Sequence, residues 1–136
     1  MPEELLKKYT AEFMNMGIGE KISNPTERVP VSRVAQFTRR SLKHFIESRQ
    51  KARNSTEDIW YLIEKAPEVT ENPQINILNP NQKRYPGSVV LGRYYEDKNK
   101  AVMAILDRGG EIRDIVSLHF RKRSDFEELL RLYSGQ

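Results

Sequence analysis

The apolar positions of this chain change period once, near Pro67. Upstream they recur every three to four residues, and downstream they alternate. Leu5, Leu6, Tyr9, Phe13 and Met16 predict a short amphipathic helix over residues 3–15. Residues 16–30 hold two Gly and two Pro and read as a loop, or as an extended arm laid across the domain. A second helix is predicted to start near Ser32 or Arg33. On its wheel Val34, Thr38, Leu42, Phe45, Ile46 and Ala52 form one apolar stripe. Gln36, Arg39, Arg40, Lys43, Glu47 and Gln50 lie opposite, and His44 falls on the border. A third helix is predicted over about 56–66. Ser55 and Asp58 supply a capping box, Ile59, Leu62 and Ile63 face inward, and Pro67 stands just past the end.

Beyond Pro67, residues 74–78, 88–95, 100–106 and 111–120 alternate as strands do. Asp97-Lys98-Asn99 and Arg108-Gly109-Gly110 separate the last three and predict tight turns of an antiparallel meander. The strand 100–106 is apolar on both faces from Ala101 onward, which places it centrally. Residues 79–87 form a polar loop. A final helix is predicted from Ser124, with Glu127 completing a capping box and Phe126, Leu129, Leu130 and Tyr133 as its apolar face. The fold class is therefore α+β: N-terminal helices, a four-stranded antiparallel sheet and a short C-terminal helix.

Charge changes this picture at one place. Segment 33–53 carries seven Lys or Arg against one Glu, in a chain whose net charge is only +4. The basicity sits on the second helix, which also holds one of the two histidines, and this points to a phosphate-rich partner. The chain has no cysteine, so disulfides, thiolate metal sites and thiol catalysis are excluded, and a cytoplasmic setting is expected. No apolar run approaches a membrane span, and the acidic start MPEELL is unlike a secretory signal, so no membrane partner is expected.

The predicted last strand turns Val116, Leu118 and Phe120 to one side and Ser117, His119 and Arg121 to the other. Its polar row reads either as a solvated outer face or as a site. If the basic helix packs beside it, His44 and His119 can converge with Arg121 or Arg40. Such a set suits metal-independent RNA cleavage, which needs an imidazole base, an acid and cations for the phosphate. No H-E-x-x-H spacing, phosphate-binding Gly-rich loop or serine elbow is present, so no metal or cofactor is expected. Tyr85 and Tyr94 are candidates for stacking a base, although such residues are more often core; Arg93, on the face of Val89 and Leu91, reads as a phosphate ligand or as a strand-end side chain.

Several stretches resemble the phage-associated branch of the barnase–EndoU–colicin–RelE group of ribonucleases. They are Ser41-Leu42-Lys43-His44-Phe45, Ile63-Glu64-Lys65-Ala66-Pro67, Asn72-Pro73, and a meander ending in Ile115-Val116-Ser117-Leu118-His119-Phe120. The resemblance covers roughly residues 29–133. Residues 1–30, read above as a helix and arm, precede a nuclease-like domain over 31–136, and the resemblance implies RNA cleavage without metal in a toxin, phage or mobile-element protein. It places His44, Arg93 and Ser117 at catalytic positions, and His119 stands in for a second histidine that relatives carry on the helix. Arg39, Arg40, Lys43, Arg121 and Arg123 would follow the backbone of RNA or DNA. The rivals are a non-catalytic nucleic-acid-binding module on the same fold and a structural protein whose basic helix docks on a protein partner, such as an immunity or antitoxin protein.

Overall fold

The alternating segments fold into the expected meander. In the computed structural model, which describes residues 16–17, 34–36, 39–107 and 112–133, they become β3 (Ile75–Leu78), β4 (Val89–Tyr95), β5 (Lys100–Leu106) and β6 (Ile112–Lys122). Two short strands extend the sheet: β1 (Met16–Gly17) and β2 (Val34–Gln36). The strand order is β1-β2-β6-β5-β4-β3, so β5 is internal, as its two apolar faces require. Helices α1 (Arg39–Lys51) and α2 (Thr56–Glu71) precede the meander, and α3 (Arg123–Tyr133) follows it. The arrangement is α+β. The predicted helix over 3–15 and the turn at Arg108-Gly109-Gly110 lie outside the described residues.

The two faces of the sheet carry different cores. One packs Val89, Leu91, Val102, Ala104, Leu106, Ile115 and Leu118 against Leu42, Phe45 and Ile46 of α1 and Ile59, Leu62 and Ile63 of α2. The other packs Ile75, Ile77, Ala101 and Met103 against Phe126 of α3. Burying each large side chain contributes roughly 1.5–3 kcal/mol. Gly92 is required on the second face, because a Cβ there would meet the Met103 sulfur at 2.7 Å and the Phe126 ring at 3.0 Å.

Three sequence expectations are corrected. Val34–Gln36 do not begin the second helix. They pair in parallel with Ile112–Asp114 of β6, with Ala35 fully buried, and the helix starts only at Arg39. The third helix does not stop at Pro67 but runs to Glu71. Proline removes one backbone donor, yet its fixed φ is helical. The turn beyond it is held by buried Val69 and Thr70, and the Thr70 hydroxyl donates to Ala66 O and Pro67 O at 3.0 Å each. Its start is as expected: Ser55 caps it, accepting from Asp58 N at 3.1 Å.

The third correction concerns β6. Leu106 pairs with Ile115 but Ile105 pairs with Ser117, so Val116 is an extra residue in a β-bulge. Val116 is 43% exposed rather than sharing the core face with Leu118 and Phe120. Ile115 takes the core position instead. Truncation separates the two registers. Leu118→Ala is expected to cost about 2–5 kcal/mol in chemical denaturation, and Val116→Ala within roughly 0.5 kcal/mol. Equal costs would contradict the bulge.

Candidate anion-binding site

Past the bulge, side chains alternate again, and Ser117, His119 and Arg121 point to the face opposite α1 and α2. Ser117 Oγ lies 3.0 Å from His119 Nδ1. Among the described strands β2 pairs only with residues 112–114 of β6. The α1 side chain that acts on His119 is Arg49. Its charge reaches the ring from the C-terminal part of α1.

Burial, and then the charges of Arg49 and Arg121, push the His119 imidazole down to about 4. At neutral pH it is uncharged. One ring nitrogen is engaged by the Ser117 hydroxyl, and two guanidiniums repel a proton from the ring. An anion placed there would offset that repulsion. Arg suits such a ligand because its planar fork matches two oxygens of a phosphate or carboxylate.

The strand continues into Arg121, Lys122 and Arg123, all exposed. Lys100 lies directly across the ladder from Lys122. Lys100, Lys122 and Arg123, with Asn99, Ser124 and Glu127, line an open depression of about 440 Å³. Arg123 Nε is 2.8 Å from Glu127 Oε1, and its guanidinium stands 5.7 Å from the centre of the Tyr94 ring. Lys100 and Lys122 are the cations of this depression that no described carboxylate pairs within 4 Å.

The other expected site residues are placed elsewhere. His44 is exposed, on the side of α1 away from Leu42, Phe45 and Ile46, rather than on the border of its stripe, and Lys43 is exposed beside it. The helix that was to bring His44 to His119 brings Arg49. Arg39 and Arg40 form the first turn of α1. Arg93 shares its face with Val102 and Phe120, so the sheet stands between it and the Ser117–His119 pair. Its Nη1 donates to Asn72 O at 2.9 Å, and its Nε is 3.5 Å from Glu68 Oε1. Arg93 thus ties the C-terminus of α2 to the sheet. Four residues expected to form one catalytic set occupy three places.

Sequence reasoning missed three basic residues. Arg49 was legible only as one of the seven cations of segment 33–53. Lys100 joins Lys122 only through strand register. Arg113 had no signal: it is 1% exposed, and its Nη1 donates to Gly87 O at 2.9 Å and Asp107 O at 3.1 Å. Among the described residues no group of three or more His, Asp or Glu could hold a metal ion. No described helix is long and apolar enough to cross a membrane. No family model, curated protein or solved structure matches the chain.

The His119 environment carries a pH signature. Its proton affinity is lower folded than unfolded, where the ordinary value is 6.5. Between pH 6.5 and about 4 the unfolded chain binds the extra proton, so stability falls as pH drops through that window. The full effect is up to roughly 3 kcal/mol. Denaturation at pH 7 and pH 4 should show a smaller loss for His119→Gln than for wild type. Identical losses would contradict a buried, repelled imidazole.

Proposed function

We propose that this chain is a nucleic-acid-binding module. It would hold a backbone phosphate at Arg121 beside the Ser117–His119 pair, within the field of Arg49. The observation that carries the reading is the Ser117–His119 hydrogen bond on a part-buried face, where the charges of Arg49 and Arg121, from separate elements, act on an uncharged imidazole. Such a grouping is unfavourable to itself and favourable to an anion. The exposed run Arg121-Lys122-Arg123 and the Lys100–Lys122 depression carry positive charge around both faces of the strand end, which suits a polymer. RNA is the ligand that the resemblance to the ribonuclease group suggests, and a phage, mobile-element or toxin setting rests on that resemblance alone.

A second reading is metal-independent RNA cleavage at the same pair. The hydrogen-bonded Ser117–His119 couple in the field of two guanidiniums favours it. Against it stands the count of proton-transfer groups. Cleavage by the 2′-hydroxyl needs a base and an acid, and one imidazole that is uncharged at neutral pH supplies only the first. Binding needs neither.

Titration of labelled RNA at several salt concentrations tests binding. Affinity should fall steeply with salt, with a log–log slope of roughly −0.7 per phosphate neutralised on a single strand. The double variant Arg49→Ala/Arg121→Ala should flatten that slope by roughly 1.4, whereas Arg93→Met should leave it unchanged while lowering thermal stability. A slope that does not move in the double variant contradicts the site. The same RNA incubated in chelator should stay intact. Cleavage lost in His119→Ala would establish the second reading in place of the first.

A further inference from the structure

The loop between β3 and β4, residues 79–88, is polar and carries no acidic residue, yet it is closely held. Asn79 N donates to Ser88 O at 3.0 Å and closes its neck. The Gln82 side chain crosses the interior: its amide nitrogen donates to Asn79 O at 2.8 Å and Ser88 O at 3.1 Å, and its amide oxygen accepts from Gly87 N at 2.7 Å. The Asn79 and Asn81 side chains accept from Asn81 N and Arg84 N. Gly87 takes a φ of 77°, which glycine adopts without the penalty a side chain would bring. Buried Arg113 reaches from β6 to Gly87 O and anchors the loop to the sheet.

This scaffold displays Lys83, Arg84 and Tyr85. All three are exposed, and Tyr85, at 41%, is one of the few large hydrophobic side chains left open. The Arg84 guanidinium stands 5.2 Å from the centre of the Tyr85 ring. An aromatic ring held in water by a fixed backbone loses little conformational freedom when it is covered.

We propose that this loop is a second contact for the nucleic acid: Tyr85, with Arg84 stacked on it, receives an unpaired base, and Lys83 meets the adjoining phosphate. The inference rests on the nucleic-acid reading above and narrows it to single-stranded RNA. A base in a duplex is already stacked and cannot cover the ring. An acidic protein segment would answer Lys83 and Arg84 but would make no use of the ring.

Fluorescence anisotropy with a labelled single-stranded oligoribonucleotide of mixed sequence, and with the same strand annealed to its complement, tests this. Loss of one base stack, about 1–3 kcal/mol, corresponds to a roughly 5- to 150-fold weaker Kd. Tyr85→Ala should weaken single-strand binding in that range and leave duplex binding unchanged. Tyr85→Phe should bind as wild type. Gln82→Ala, which frees the backbone while keeping the ring, should also weaken single-strand binding, and circular dichroism should show each variant folded. Wild-type affinity in Tyr85→Ala, or equal losses for single strand and duplex, would overturn the role of the loop while the phosphate site stands. Failure of wild type to bind either RNA would overturn both.

Discussion

The constraint on which the candidate site depends is the extra residue in β6. A strand alternates faces with period two, so one inserted residue reverses every side chain after it. Without the bulge at Val116, the face that buries Ile115 would also receive Ser117 and His119, beneath α1 and α2. With it, Leu118 takes the core position, and the serine and histidine turn to the other face. Bulges recur where a strand must re-aim a functional side chain. The same insertion leaves Val116 exposed, an outcome apolar patterning alone would not choose.

A second constraint is the desolvation of positive charge. Helix α1 gives its inner stripe to Leu42, Phe45 and Ile46 and carries Arg49 in its C-terminal part. Arg113 is buried among backbone carbonyls, where burial lowers its proton affinity and the Asp107 carboxylate raises it. Arg93 spends its donors on Asn72 and Glu68. These three arginines therefore differ in kind. Arg113 and Arg93 have structural partners, and the charge of Arg49 bears on an imidazole that cannot answer it. That contrast, more than the basic count of segment 33–53, singles out the end of β6.

The meander was legible in the sequence because it is built from local alternation. The central place of β5, the cap at Ser55 and the course of α3 all follow from patterns read within a dozen residues. What was illegible depends on distant partners. Three residues, Val34–Gln36, are too short to signal a strand, and only pairing with β6 makes them one. Pro67 ends a helix by local rule, and buried Val69 and Thr70 override it. The predicted wheel puts His44 on the border of a stripe that includes Val34 and Thr38. With the helix starting at Arg39, the stripe recentres on Leu42, Phe45 and Ile46, and His44 turns to solvent. The polar row Ser117, His119 and Arg121 was read correctly, but its partner on the helix was Arg49, five residues past the histidine that drew attention.

The central claim is that burial, reinforced by the charges of Arg49 and Arg121, holds His119 deprotonated until an anion offsets those charges. Nuclear magnetic resonance titration of the His119 ring, free and with a saturating RNA oligonucleotide, measures this directly. The account predicts a midpoint near 4 in the free protein and a clear upward shift in the complex. A His119 midpoint that stays the same when RNA is bound would contradict it.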